Sequence, residues 1–333
     1  MNAMEQYVKE LMNDQILADA AKSYGLGLLD LKYIGGFQNF VYEYERNGTT
    51  YILRITHSSH RSSDRVKGEL EWVQYLYTNG VSVSKPIVSK HDRFVETLEL
   101  DNSYMIITSF EKASGNKIFY PECMNNDSLS EMCGEITGQI HTLSRTYVPS
   151  KKEITRHNWT ENAYLKGMKK FIPSNQILVF ASFEQVTSQI NGSKKDDTYG
   201  LIHGDINVGN FFIDDVKMTL FDFDECQYSW YEEDIAIQIF YMVYVVLNDS
   251  KAERNAQARR FLKCFLRGYE RYNRMDHQSL NNLVLFLRLR ELIVYIGMYR
   301  SFDFSNLNDW TRTYLSESQE RLENGVPIVE GLF

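Results

Sequence analysis

The sequence has 333 residues, 43% of them hydrophobic and 24% charged, ordinary values for a globular chain with a sizeable core rather than a disordered or fibrous one. Thirty-six basic against 44 acidic residues leave a net charge of −8, a poor general grip on a phosphate backbone that argues against a nucleic-acid partner. Cys123, Cys133, Cys226 and Cys264 are too few and too scattered for a disulfide scaffold or a zinc knuckle, so buried reduced thiols are expected. Residues 1–14 lack the apolar stretch of a signal peptide. The longest apolar run, 235–247, is interrupted only by Gln238 and falls short of the roughly 18 residues that suggest a membrane span. Together these features predict a cytoplasmic protein without a membrane partner.

The first hundred residues read mainly as strands. Phe40, Tyr42 and Tyr44 alternate with Val41, Glu43 and Glu45, Asn47-Gly48 offers a tight turn, and Tyr51, Leu53 and Ile55 resume the alternation. The spacing predicts a helix over 64–78, closed by Asn79-Gly80, then strands over 94–98 and 104–108. Beyond Glu111 the period changes: Leu129, Met132, Cys133, Ile136, Ile140 and Leu143 recur at helical spacing. Strand-like pieces at 200–203, 210–213 and 218–223 interrupt this helical sequence, and from Asp234 nearly everything reads as helix. The expected plan is α+β: a small β-rich lobe over 1–108, a connector over 109–115, and a mainly helical lobe over 116–333.

The chemistry concentrates in His203-Gly204-Asp205-Ile206-Asn207-Val208-Gly209-Asn210, followed by Phe221-Asp222-Phe223-Asp224. Both acidic clusters stand where an apolar strand ends, so buried strands can carry polar heads into a shared cleft. Phosphoryl transfer needs such a set, with one carboxylate to orient and deprotonate an acceptor hydroxyl and an amide oxygen and second carboxylate to hold Mg2+. The order H-x-D-x-x-x-x-N and then D-F-x matches the catalytic and metal loops of protein kinases, with Asp224 in place of their Gly. A strand–turn–strand whose Asp and Asn residues only make turn hydrogen bonds is the simpler alternative. A hydrolytic metal site on His203 and Asp205 is the chemical rival, but no further histidine stands at ligand spacing.

On a wheel of about 100° per residue, Val66, Leu70, Trp72, Val73, Leu76 and Tyr77 share one face that also contains Glu69, while Glu71 points away. A core-facing carboxylate needs a charged partner, and Arg54 on the preceding strand is the candidate. Such a pair places a cation on nucleotide phosphates in kinases. Gly35-Gly36-Phe37-Gln38-Asn39 lies between strands, where backbone amides can cover phosphates.

Taken in order, GGFQN, YILRI, GELEWVQYLYTNGVSV, HGDINVGN, FDFDE and DIAI resemble the aminoglycoside phosphotransferase and choline kinase family over about residues 30–240, in a flavour near its bacterial homoserine-kinase and RdoA-like branch. The resemblance implies a protein-kinase-like two-lobed fold that uses ATP and Mg2+ to phosphorylate a small-molecule hydroxyl. It implies Asp205 as base, His203 shaping its loop, Asn210 and Asp222 on Mg2+, and Asp234 bracing the catalytic loop. It also implies nucleotide contacts from Gly35, Gly36, Asn39, Arg54 and its partner Glu69, with Ser109, Phe110 and Glu111 along the adenine. Two departures stand out: many relatives have Lys where this chain has Arg54, and Asp224 either joins the metal or only orders its loop, the second being favoured.

Tyr228, Trp230, Tyr231, Glu232 and Glu233 offer rings beside carboxylates, suited to an amine or quaternary ammonium on an amino alcohol, amino sugar or aminoglycoside-like acceptor. Packing in the core is the competing reading for this group and for His141. A protein Ser/Thr kinase of the RdoA-like type and a non-catalytic nucleotide-binding regulator are the alternative functions; retention of Asp205, Asn210 and Asp222 together counts against the second.

Overall fold

The structure is a computed structural model that describes residues 6–195, 197–215 and 217–332. By internal contact the chain divides into two compact units, one of residues 1–114, 147–156 and 219–224, the other of 115–146, 157–218 and 225–333.

The first unit opens with two helices, α1 (Gln6–Leu11) and α2 (Asp14–Lys22), the second capped by Asn13, whose side chain accepts from Ile16 N. Strands β1 (Lys32–Gly35), β2 (Phe40–Arg46) and β3 (Thr49–His57) follow, then helix α3 (Ser63–Thr78). Strands β4 (Pro86–Ile87), β5 (Glu96–Glu99) and β6 (Tyr104–Glu111) complete an antiparallel sheet in the order β1-β2-β3-β6-β4, with β5 also on β6. Side chains alternate across this sheet. Tyr42, Tyr44, Leu53, Ile55, Met105 and Ile107 pack with Val8, Ala20, Ala21 and Tyr24, whereas Ile106 packs with Val66 and Leu70 of α3. The α3 face is as the wheel predicts, with Val66, Leu70, Trp72, Val73, Leu76 and Glu69 buried; Tyr77 at its edge is exposed. Strand signals gave no hint of α1 and α2, whose few apolar positions cover one face of the sheet.

The second unit is mainly helical. It contains α4 (Asp127–Ser144), α5 (Ala163–Phe171) and α6 (Ile177–Asn191), and then β7 (Tyr199–Ile202) and β8 (Phe211–Asp214). The chain leaves this unit within β9 (Lys217–Leu220) and returns before β10 (Gln227–Trp230), which pairs antiparallel with β7. Helices α7 (Tyr231–Val243), α8 (Lys251–Tyr269), α9 (His277–Ser301) and α10 (Asp309–Asn324) follow. The expected strand over 218–223 stops at Leu220, because Asp222 adopts a left-handed φ of +62° that extended pairing cannot contain. Among the described residues no helix is long and apolar enough to cross a membrane.

Helices α4 and α8 meet at backbone distance. A Cβ on Gly134 would stand 1.9 Å from the Phe265 carbonyl oxygen, and one on Gly268 would stand 2.0 Å from that of Glu131. Gly134→Ala should therefore destabilise the protein by about 1–3 kcal/mol through overpacking, despite the gain of about 1 kcal/mol in helix propensity. A urea melt reads the difference, and an unchanged or raised midpoint would contradict the close crossing.

Candidate active site

In the second unit β7 delivers the chain to His203, and a turn at Gly204 (φ +81°) redirects it. Any Cβ on Gly204 would lie 2.5 Å from the Glu225 carbonyl oxygen, so the turn requires glycine. The loop is pinned from α7: Asp234 accepts from His203 N–H at 2.9 Å and from Gly204 N–H at 2.8 Å. His141 Nε2 lies 3.3 Å from the same carboxylate, its Nδ1 is 3.0 Å from Tyr269 Oη, and its ring stacks on Tyr231 at 4.2 Å. Burial alone would raise the Asp234 pKa, but His141, His203 and the loop amides more than offset it and hold the carboxyl below its usual value. Burial lowers the His141 pKa against the opposing pull of Asp234, and because a carboxylate only accepts, Nε2 is the donor in that contact.

This pinned loop presents Asp205. Its Oδ2 accepts from Asn207 Nδ2 at 3.1 Å and Asn210 Nδ2 at 3.0 Å, and its backbone oxygen accepts from the same amides. The amide nitrogen of Asn210 is thereby spent on Asp205, which turns its oxygen to the other side, as a metal ligand requires. His203 contributes shape, its Nδ1 accepting from Asp205 N–H at 3.3 Å. Asp205 Oδ1 meets Nη2 of Arg290 on α9. Burial raises the Asp205 pKa, opposed by the Arg290 charge. Arg290 escaped sequence reasoning; within the mainly apolar stretch 283–298 it is one of three charges, with Arg288 and Glu291, and nothing in the sequence singles it out.

The first unit carries its own set. Arg54 on β3 donates both Nη atoms to Glu69 on α3, at 2.8 and 2.9 Å, with the two residues 5% and 0% exposed. Burial opposes the guanidinium's charge, but Glu69 overrides it and holds the pKa above its usual value. The Phe110 ring lies 5.1 Å from the same guanidinium. Gly35 and Gly36 have φ of +122° and +130°, and a Cβ on Gly36 would stand 1.9 Å from the Asn39 carbonyl oxygen. Asn39 fastens this loop, its Oδ1 accepting from Thr56 Oγ1 at 2.7 Å, and Ser109 on β6 shares a 2.8 Å bond with Tyr44 Oη. Glu111 ends β6.

Asp222 is exposed at its left-handed turn, whereas Asp224 is buried and engaged. The Asp224 carboxylate takes His60 Nε2 at 2.5 Å and Arg61 Nε at 3.2 Å, and its backbone oxygen takes Arg61 and Arg156. Burial would raise its pKa, but Arg61 and His60 hold it well below the usual value. Both carboxylate oxygens have protein partners, which favours loop ordering over metal binding.

The aromatic–acidic group expected near an acceptor lies mostly inside the second unit: Trp230, Tyr231, Glu232 and Glu233 are each 2–3% exposed, and Tyr228 is partly buried. Burial pushes Glu233 up to about 7, against hydrogen bonds from Ser229 and, at 2.9 Å, Gln227. Trp230 Nε1 donates to the Lys194 carbonyl oxygen at 3.0 Å. These partners belong to the protein, so the group is packed, in line with the competing core reading rather than the acceptor-site one.

A β-rich unit with a strand-cation to helix-Glu pair, and a helical unit with a pinned H-G-D-x4-N loop, together define a protein-kinase-like phosphotransferase fold. The sequence model of the phosphotransferase enzyme family, APH, matches residues 31–274, and the chain belongs to that family. It is 34% identical over 326 residues to amicoumacin kinase of Bacillus subtilis (strain 168), covering 96% of this chain and 95% of that protein. The solved amicoumacin kinase hAmiN, in complex with AMP-PNP, Ca2+ and Ami, superposes with a TM-score of 0.90 at 30% identity, covering 98% of each chain. A microcompartment-associated aminopropanol kinase shares the fold at a TM-score of 0.74 and 19% identity, covering 94% of this chain and 98% of its own. The chain is thus a kinase of this family that phosphorylates a hydroxyl of a small molecule.

Two outcomes follow from the buried charges. Glu69→Ala leaves Arg54 buried without its carboxylate and should cost about 3–5 kcal/mol; a thermal melt within about one kcal/mol of wild type would contradict the pairing. Because the folded Asp234 pKa is depressed, its contribution is complete above the unfolded value of about 3.9 and is lost as pH falls through the folded value. Wild type should therefore lose stability relative to Asp234→Asn as the pH drops below about 4, and parallel melting curves from pH 7 to the acid transition would contradict this.

Proposed function

We propose that the acceptor is amicoumacin or a close analogue, with Asp205 as base and Asn210 and Asp222 as ligands of Mg2+. Similarity to two amicoumacin kinases over nearly the whole of each chain supports the acceptor. The observation that carries the chemistry is Asp205 itself, whose carboxylate is held by two amides on a loop pinned at both His203 and Gly204. An amide oxygen and an exposed carboxylate are hard oxygen donors suited to Mg2+. When bound, the ion neutralises charge on the nucleotide phosphates.

In the reaction the acceptor oxygen bonds to the γ-phosphorus as the bond to the β,γ-bridging oxygen breaks. That electron pair leaves on ADP, and Asp205 takes the hydroxyl proton. Arg54, oriented by Glu69, contacts phosphate oxygens, the loop of Gly35, Gly36 and Asn39 covers them with backbone amides, and Ser109, Phe110 and Glu111 border the adenine. A cytoplasmic site of action fits four free buried thiols and a need for ATP.

Incubation with ATP·Mg2+ and a panel of amicoumacin, aminopropanol, spectinomycin and choline tests the proposal by mass spectrometry. Phosphorylated amicoumacin is expected, and label appearing only on protein would redirect the activity to a protein kinase. Asp205→Ala should lower transfer by about 10²–10⁴-fold while nucleotide binding persists; unchanged turnover refutes the base. Asp222→Ala should instead weaken Mg2+-dependent nucleotide binding, read by calorimetry with and without the metal, and an unaltered metal requirement removes it from the ligand set.

A further inference from the structure

Arg290 is a buried charge on a helix whose other buried positions over 283–298 are apolar apart from the adjacent Glu291, which pairs with Arg321. Its neighbours Leu287, Leu289, Leu292 and Ile293 are buried, and its own side chain is only 9% exposed. Nη2 donates to Asp205 Oδ1 and, at 2.6 Å, to Tyr241 Oη of α7, and the guanidinium lies 4.9 Å from the Tyr241 ring centroid. Its Nε is buried without a hydrogen-bond partner among the described residues. Burying a guanidinium costs several kcal/mol, and apolar residues in place of such a pair often leave a protein as stable or more so. Stability is therefore a poor reason for an arginine here. Its directed contacts are with Asp205 and Tyr241.

The lone pairs of Asp205 show what that contact does. A carboxylate has about four acceptor positions, two on each oxygen. Asn207 and Asn210 fill both on Oδ2, and Arg290 fills one on Oδ1. One remains, on Oδ1. The same Nη2 also donates to Tyr241 Oη, and the planar guanidinium is rigid, so this nitrogen is held in place and restricts the direction of the remaining lone pair.

We propose that Arg290, braced by Tyr241, is a positioning residue that orients Asp205 so that a single lone pair, on Oδ1, meets the acceptor hydroxyl. This rests on Asp205 being the base. The acceptor oxygen then docks beside the guanidinium rather than beside the Asn207 and Asn210 amides. A misdirected carboxylate still binds substrates but seldom reaches the reactive geometry, so the effect belongs in kcat.

The test uses the full chain, ATP·Mg2+ and the acceptor that the metabolite panel identifies. Arg290→Met should lower kcat by about a hundredfold, with both KM values within about threefold of wild type. Arg290→Lys, which keeps a donor without the fork, should recover about tenfold of that loss. Low millimolar guanidinium should partly restore Arg290→Ala and leave Asp205→Ala dead, with methylammonium at equal ionic strength as control. Tyr241→Phe keeps the ring and the packing, and should lower kcat by about three- to tenfold at constant KM; it reads the same contact should the Arg290 variants fail to fold. Wild-type kcat in Arg290→Met overturns the proposal, as does a loss that falls on KM and responds to neither lysine nor guanidinium. If Asp205→Ala turns over like wild type, the base assignment fails and this inference falls with it; if Asp205→Ala shows its expected loss while the Arg290 and Tyr241 variants turn over normally, only the inference fails.

Discussion

The catalytic loop depends on one carboxylate that solvent does not reach. Asp234 is fully buried, and a buried ionised carboxyl is tolerated only when its oxygens are met by donors. Here the donors are the His203 and Gly204 amides and His141, so the requirement of Asp234 for partners and the requirement of the loop for satisfied amides are met together. The glycine at 204 is what allows the turn to come close enough, since a Cβ there would strike the Glu225 backbone. Asp205 comes next in the chain, and its orientation follows from that turn and from two amides and a guanidinium on its carboxylate.

A similar logic recurs in the first unit, where the buried Arg54, Glu69 and Asp224 each meet an oppositely charged or hydrogen-bonding side chain. Arg54 and Glu69 satisfy one another by a two-point contact, a geometry that lysine cannot reproduce. The arginine at this position, where many relatives have lysine, therefore does not weaken the strand-to-helix link. Asp224 is treated in the same way by His60 and Arg61, and that engagement separates its role from the exposed Asp222 two residues earlier. Of the two acids in the D-F-D run, one is buried with both carboxylate oxygens engaged and the other is exposed.

What could be read in advance divides along a physical line. Glu69 was legible because a carboxylate on an apolar helical stripe has few solutions, and a cation stood one element earlier. The loop from His203 to Asn210 was legible because polar residues clustered at the end of an apolar strand signal a site. Arg290 was not legible, since its partner lies 85 residues away and helical periodicity shows only that a charge is misplaced, not what it meets. His60 and Arg61 sit in a polar stretch with no period to single them out. For Glu232 and Glu233 an acceptor site and core packing both stayed open, because the Ser229 and Gln227 side chains that keep Glu233 buried arrive through the preceding strand, β10, which was not among the expected strands. The end of β9 at Leu220 turned on one backbone angle at Asp222, which composition does not reveal.

In the proposed reaction Asn210 and Asp222 hold the metal while Asp205 is directed at the acceptor. The most direct measurement is diffraction from a complex with Mg2+, a non-hydrolysable ATP analogue and the acceptor, with Mn2+ replacing Mg2+ to locate the ion by anomalous scattering. Oxygen atoms of both Asn210 and Asp222 are expected in the ion's coordination sphere, at about 2.0–2.2 Å, with the acceptor hydroxyl on Asp205 Oδ1. A metal bound without either residue, or an acceptor hydroxyl out of reach of Asp205, would contradict that assignment.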